Sequence, residues 1–300
     1  MASAISRPTG WRIWLLAARP ATLPAAVVPV LVGSAAAVPL AEMRWVPFVA
    51  ALVASILIQI GTNYANDLFD FLKGADHEGR LGPTRITQSG LASVGAVGVA
   101  TALVFGLAVV LGLYLAWVGG WPIILVGVLA ILAGLAYTGG PYPLGYHGLG
   151  DVFCFVFFGL VAVMGSAYLQ TLTLAVRVLL AALPVGALVT AILVVNNVRD
   201  IPTDRVAGKK TLAVRLGDRG ARSEYALLVI AGYVVVLAMV WRGDLGWWGL
   251  LPLATLPLAL NLCRTLWKVT DPGVLNAALK GTGRLHLLFG LALTAAFWLS

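Results

Sequence analysis

The sequence predicts an all-α, polytopic membrane protein, and three observations carry that prediction. Only 11% of the 300 residues are charged and 60% are hydrophobic, whereas soluble domains are about 25% charged. The apolar residues fall in long blocks separated by short polar stretches, and a block of about 20 is what a helix needs to cross a bilayer. The basic residues, finally, gather on one side of the arrangement those blocks impose. Backbone groups in hydrocarbon must bond to one another, which leaves helices or closed barrels. The strand-like alternation of a membrane barrel is absent, so the spans are helices.

Nine spans follow, taken along the chain. Ahead of the first, Trp11, Arg12 and Trp14 precede Arg19-Pro20; two tryptophans beside an arginine suit a short helix at the membrane interface, the alternative being an unstructured tail. No cleavable signal peptide is evident. The apolar blocks place spans near 20–40, 46–66, 91–117, 122–138, 151–170, 177–199, 223–241, 247–266 and 282–300. Each is bounded by polar or glycine-rich sequence, such as Asn66-Asp67 after the second and Gly139-Gly140-Pro141 after the fourth. The longest polar interruptions, 67–90 and 200–222, read as loops capping one site within a single domain.

Alternating spans put the N-terminus and the 67–90, 139–150, 200–222 and 267–281 segments on one side. That side, with its span ends, holds 17 of the 20 lysines and arginines; only Arg44, Arg177 and Arg242 lie on the other. Such an excess marks the cytoplasmic face of a plasma or inner membrane. The net charge of +8 therefore reflects topology and a bound anion, and is no argument for nucleic acid. Ten of the twelve acids share that side. Orientation does not explain them, because acids contribute little to it.

The acids form two clusters. Asn63, Asn66, Asp67 and Asp70 end the second span; if the helix continues, residues four apart share a face. Asn196, Asp200 and Asp204, spaced by four, end the sixth, although Pro202 argues against a regular helix through Asp204. Crowded carboxylates call for a cation, and hard oxygen ligands suit Mg2+, which is commonly held by one or two carboxylates together with substrate phosphates. Lys73, Arg80, Arg85, Arg199, Lys209, Lys210 and Arg215 are interleaved, giving the composition of a metal–diphosphate site. The bland alternative is a set of solvated loop charges. Cys154, Cys263, His77, His147 and His286 have no metal-ligand spacing and read as packing or solvent-facing residues.

These motifs also resemble a known family. Asn66-Asp67-x-x-Asp70-x-x-x-Gly74-x-Asp76 followed by Arg80-x-Gly82-Pro83-x-Arg85, and Asn196-Asn197-x-Arg199-Asp200-x-x-x-Asp204 followed by Gly208-Lys209-x-Thr211, are similar to the two motifs of the 1,4-dihydroxy-2-naphthoate polyprenyltransferases, the menaquinone branch of the UbiA superfamily. Tyr137–Tyr146 with Gly148-Leu149-Gly150-Asp151 looks like the family's loop between the fourth and fifth spans, and Arg19-Pro20 like the start of its first. The third acid of the commoner first motif falls here on Gly74, which leaves Asp76 without an assigned role.

The resemblance implies nine helices around a central cavity, and an enzyme that moves a polyprenyl chain from its diphosphate onto 1,4-dihydroxy-2-naphthoate. The prenyl group takes the carboxyl-bearing position, and CO2 and diphosphate leave. It implies Mg2+ on Asn66, Asp70, Asp200 and Asp204, with Asp67 a further ligand or an orienter of ligands. Lys73, Arg199 and Lys209 would contact the diphosphate, and Tyr137 and Tyr142 would face the allylic cation. Arg19, Arg80 and Arg85 would hold the acceptor carboxylate or the diphosphate. The competing readings are a sister enzyme acting on another aromatic acceptor, such as 4-hydroxybenzoate, and a polytopic transporter; the latter would favour charges at mid-span.

Overall fold

The computed structural model describes residues 9–74, 82 and 84–300. Among these, every regular element is helical. We number the helices α1 (Trp11–Ala18), α2 (Pro24–Ala37), α3 (Trp45–Leu72), α4 (Val94–Gly119), α5 (Trp121–Ala136), α6 (Gly150–Thr171), α7 (Val176–Val206), α8 (Leu212–Trp241), α9 (Trp247–Lys268) and α10 (Pro272–Leu299). Seven are long and apolar enough to cross a membrane; Trp11–Thr22, which contains α1, and α2 are bent by 54° and make an eighth if counted as one span. The fourth expected span is α5, which is apolar but only 16 residues long.

The tail ahead of the first span is helical from Trp11, which favours the interfacial-helix alternative. Each expected span coincides in large part with an observed helix; 20–40, 91–117, 122–138 and 282–300 overrun their helices by one to several residues, while other helices run further than expected. Residues 67–72 belong to α3, 200–206 to α7 and 212–222 to α8, so the two segments read as loops are in large part helix ends. Pro202 does not stop α7. Its ring forfeits one hydrogen bond and crowds the carbonyl of Val198, yet it lies in the last turns, where Thr203 Oγ1 donates to the Asp200 carbonyl at 3.0 Å.

Two sets of contacts define the ends of the bundle. At one end, Lys209 reaches Asp70, Thr138 donates to Asn66, Asn63 to the Ala18 carbonyl, Arg222 to the Val269 carbonyl and Arg199 to Asn276. At the other, Arg44 donates to the Leu169 carbonyl, Arg177 to the Asp244 carbonyl and Gly246 N–H to Ser300. The three basic residues assigned to the far side thus lie together at the end away from the acidic motifs. Exposed tryptophans (Trp45, Trp117, Trp121, Trp241 and Trp247) ring that end, as an interfacial aromatic belt does.

α7 is the axis of the bundle: 78% of its most apolar window is buried, against 22% for α4. It packs on α2, α6, α8 and α10. Against α6 the approach is backbone to backbone, since a Cβ on Gly159 would lie 2.5 Å from Gly186 Cα, a small-residue contact of the kind that replaces hydrophobic drive between helices in lipid. The π-helical stretch Phe155–Val161 coincides with this contact. α4 and α5 stand at the periphery, so the space between them and α7 is not filled.

Candidate functional site

That space is a cavity of about 940 Å³. Its polar end is built from the motif ends: Asn66 and Asp70 on α3, Asn196, Asp200 and Asp204 on α7, with Arg19, Arg85, Tyr146 and Lys209 beside them. Away from this end the lining turns apolar, with Ala54, Leu115, Ile123, Gly127, Phe157 and Leu169. Val109 and Leu113 of α4 and Ile124 and Val128 of α5 also line it, yet are 46%, 65%, 54% and 50% exposed. The apolar arm therefore opens sideways, between α4 and α5, onto the lipid-facing surface.

Asp70 is the hub of the polar end. Its side chain is 3% exposed, forms an ion pair with Arg85, accepts from Tyr146 Oη at 2.6 Å and lies 3.7 Å from Lys209 Nζ. Lys209 follows the second motif, so this contact joins the two motifs directly. The Tyr146 ring carries Lys209 Nζ at 4.5 Å and Lys73 Nζ at 5.4 Å from its centroid, the geometry of cation–π attraction. Lys73 also donates to the Gly140 carbonyl at 2.9 Å. The sequence does not mark Tyr146 as a site residue, although it lies in the 137–146 stretch, because its partners come from elements far away in the chain.

The second motif is held by Arg199. Its guanidinium gives Nε to Asp200 Oδ1 at 2.7 Å and Nη2 to Asp200 Oδ2 at 2.6 Å, and also bonds Asn196 at 2.8 Å and Asn276 at 2.6 Å. Its side chain is 0% exposed and it is absent from the cavity lining. Arg199 therefore aims Asp200 and Asn196 into the cavity; the geometry gives it this role in place of the direct diphosphate contact expected. Asn276, which lines the cavity from α10, is a further residue the sequence did not point to.

Asp67 departs most from expectation. Both of its oxygens are used by the chain after α3: Oδ2 accepts from Ile86 N at 3.0 Å, and Oδ1 from Thr87 N at 3.0 Å and Thr87 Oγ1 at 2.5 Å. It is 2% exposed and does not line the cavity. Asp67 anchors the loop that delivers Arg85 to Asp70, and a metal-ligand role has no support in its contacts. Tyr142 is 57% exposed and stacks on His147 with centroids 3.6 Å apart, outside the cavity lining, so it is not placed to face a cation there. Tyr137 does line the cavity. Its ring rests on Gly145 and Gly150, where a Cβ would come within 3.0 Å; these two glycines seat Tyr137 and do not form an open wall. Arg80 and Asp76 lie outside the described residues.

The donor set is oxygen-only at the point where a cation is expected: Asn66, Asp70, Asn196, Asp200 and Asp204. Among the described residues, no three acids, histidines or cysteines are close enough to hold a metal by themselves. Asp70 and Asp200 are instead compensated by Arg85, Lys209 and Arg199. This fits Mg2+ arriving with a diphosphate, where phosphate oxygens complete the shell, and fits poorly with a site that holds bare metal.

Comparison with known proteins identifies the family and the fold. Residues 26–298 match the model of the UbiA prenyltransferase family. The chain is similar to the 1,4-dihydroxy-2-naphthoate octaprenyltransferase of Mycobacterium leprae, 41% identical over 290 residues and covering 96% of each chain. It is likewise similar to the Escherichia coli protein of that name, 39% identical over 298 residues, covering 95% of this chain and 96% of the relative. Its fold is similar to a UbiA homolog from Archaeoglobus fulgidus solved bound to GPP and Mg2+, with a TM-score of 0.67 at 17% identity, covering 94% of this chain and 99% of the other.

Proposed function

Because this chain belongs to the UbiA prenyltransferase family, we propose that it transfers a polyprenyl chain from its diphosphate to 1,4-dihydroxy-2-naphthoate, releasing diphosphate and CO2. The observation that carries the reading is the two-ended cavity: a polar end lined by aspartates, asparagines and basic side chains, continuous with an apolar arm that opens to lipid. A substrate with an anionic head and a long hydrocarbon tail fits that shape, with head and tail each in its own environment.

The diphosphate sits at the polar end, where Lys209 beside Tyr146 meets its charge. Mg2+, held by Asn66, Asp70, Asp200 and Asp204, would neutralise the diphosphate as the allylic C–O bond breaks. Arg199 keeps Asp200 and Asn196 directed inward. Tyr137 offers its ring to the allylic cation, and the apolar lining beyond it excludes water. The ring carbon of the acceptor then bonds to the prenyl carbon as the carboxyl group departs. We assign the acceptor carboxylate to Arg19 because it lines the cavity beside the polar end. Arg19 lines the cavity at the break between α1 and α2 and has φ 53°, a left-handed conformation that costs a non-glycine residue roughly 1–2 kcal/mol.

Two outcomes test the reading. Purified protein with Mg2+ and a polyprenyl diphosphate should convert 1,4-dihydroxy-2-naphthoate to a decarboxylated prenyl product, and leave 4-hydroxybenzoate unchanged. Product from 4-hydroxybenzoate alone would assign a sister activity. The motif end of the bundle should also face the cytoplasm across the plasma or inner membrane, given its share of the basic residues. In a background lacking Cys154 and Cys263, single cysteines near Lys210 and near Ser300 should label from opposite sides, the first from the cytoplasm; labelling of both from one side would refute this topology.

A further inference from the structure

From Asn66 at the metal–diphosphate end, a polar stripe continues along α3 into the cavity. Ser55, Gln59, Thr62, Asn63 and Asn66 line it from α3, at spacings that keep them on one helix face. Most are already engaged. Ser55 donates to the Ala26 carbonyl, Asn63 to the Ala18 carbonyl, and Asn66 accepts from Thr138. Gln59 differs: it is 8% exposed, and its Oε1 is buried with no hydrogen-bond partner. An unmet carbonyl oxygen at the depth of a membrane span is destabilising, a cost that a bound donor group would remove.

We propose that Gln59 is the acceptor-recognition residue, its side-chain oxygen receiving the hydroxyl of the aromatic diol that lies remote from the carboxylate. The chemistry selects that ligand. A prenyl chain has no O–H or N–H to give, and a diphosphate is an acceptor drawn to the cationic end. The hydroxyl next to the acceptor carboxylate is already bonded within the molecule, which leaves the 4-hydroxyl. Seven residues of α3 separate Gln59 from Asn66, roughly 10 Å along the axis at 1.5 Å per residue. That interval accommodates a fused ring with one hydroxyl at Gln59 and its reacting carbon turned toward the diphosphate end. The inference rests on the acceptor proposed above, and it makes Gln59 a determinant of specificity in contact with substrate, apart from the groups that handle the diphosphate.

The test compares Gln59→Leu and Gln59→Met with the wild type, using 1,4-dihydroxy-2-naphthoate as acceptor and 1-hydroxy-2-naphthoate, which lacks the 4-hydroxyl, as competing ligand. In the wild type the monohydroxy compound should bind about tenfold more weakly than the diol, the effect of one hydrogen bond to a buried group. In both variants KM for the diol should rise about tenfold and the discrimination should nearly vanish, while KM for the prenyl diphosphate stays unchanged. Thermal stability of the ligand-free variants should be equal or higher, because an unmet polar atom has been replaced by an apolar one. Wild-type protein that fails to prenylate the naphthoate at all overturns the proposed function, and this inference with it. Wild-type activity together with unaltered acceptor KM and discrimination in the variants overturns this inference alone. So does a variant pair that is unstable or loses donor affinity, since Gln59 would then be structural or part of the prenyl pocket.

Discussion

Asp200→Ala is expected to lower kcat by about three orders of magnitude, roughly 4 kcal/mol of transition-state stabilisation, with the protein still folded and membrane-inserted. Asp200 lines the polar end of the cavity; its removal takes two bonds from the buried Arg199 and costs some stability, but Arg199 keeps Asn196 and Asn276 as partners, so the fold is held. Electrostatic groups aimed at a leaving group are commonly worth two to three orders of magnitude each, and Asp200 would also contribute to holding Mg2+. The same substitution at Asp70 is less clean. Relief of carboxylate repulsion would spare the fold only if the carboxylate were uncompensated, and Asp70 is compensated by Arg85, Tyr146 and Lys209. Deleting it removes the carboxylate from a buried ion pair, and breaking such a pair costs about 3–5 kcal/mol. Asp70→Asn, which keeps the shape and the contact to Tyr146, separates catalysis from stability. The measurements are single-turnover diphosphate release across a magnesium titration and a thermal midpoint in detergent. An Asp200→Ala enzyme with most of its activity at saturating magnesium would remove the metal–diphosphate site from the mechanism.

How far the sequence discloses this molecule depends on the range of the interactions involved. Span positions follow from local composition, and the blocks near 46–66 and 177–199 lie inside α3 and α7. The pairing of Asn66 with Asp70, and of Asn196 with Asp200 and Asp204, follows from helical spacing alone, and all five line one cavity. The roles of Asp67 and Arg199 do not follow. Asp67 is one residue from Asn66 and three from Asp70; whether it meets a ligand or a loop is decided by Ile86 and Thr87, about twenty residues later. Arg199 resembles a phosphate-binding arginine in its motif, and only Asn276, far along the chain, reveals it as a clamp. Helix ends are the other weak point. Polar sequence reads as loop, but at a membrane surface a helix loses little by continuing past the hydrocarbon, as α7 does through Pro202 and α8 does from Leu212, bending at Gly217 with φ 73° where glycine carries no Cβ penalty.

The contrast between two acids three residues apart gives the second large effect. Asp67→Ala should destabilise the protein by about 3 kcal/mol or more, since it leaves two buried N–H groups and a hydroxyl without their acceptor, each worth roughly 1–3 kcal/mol. Ile86, Thr87 and Arg85 are 0%, 5% and 4% exposed, so water is poorly placed to replace the carboxylate. Activity should fall as well, by an indirect route: the released loop no longer presents Arg85 to Asp70, and the charge at the head of the cavity is left unbalanced. The distinguishing measurement is the magnesium dependence of whatever activity remains. With Asp67 as a loop anchor, half-saturating magnesium stays within about twofold of wild type while the thermal midpoint drops, the pattern expected when a buried hydrogen-bond network is broken. Asp67→Asn should fall between, because one amide oxygen can still serve Thr87 while the amide nitrogen opposes the Ile86 N–H. A stable Asp67→Ala protein whose magnesium requirement rises tenfold would return Asp67 to the ligand set and show that its bonds to Ile86 and Thr87 give way when substrate binds.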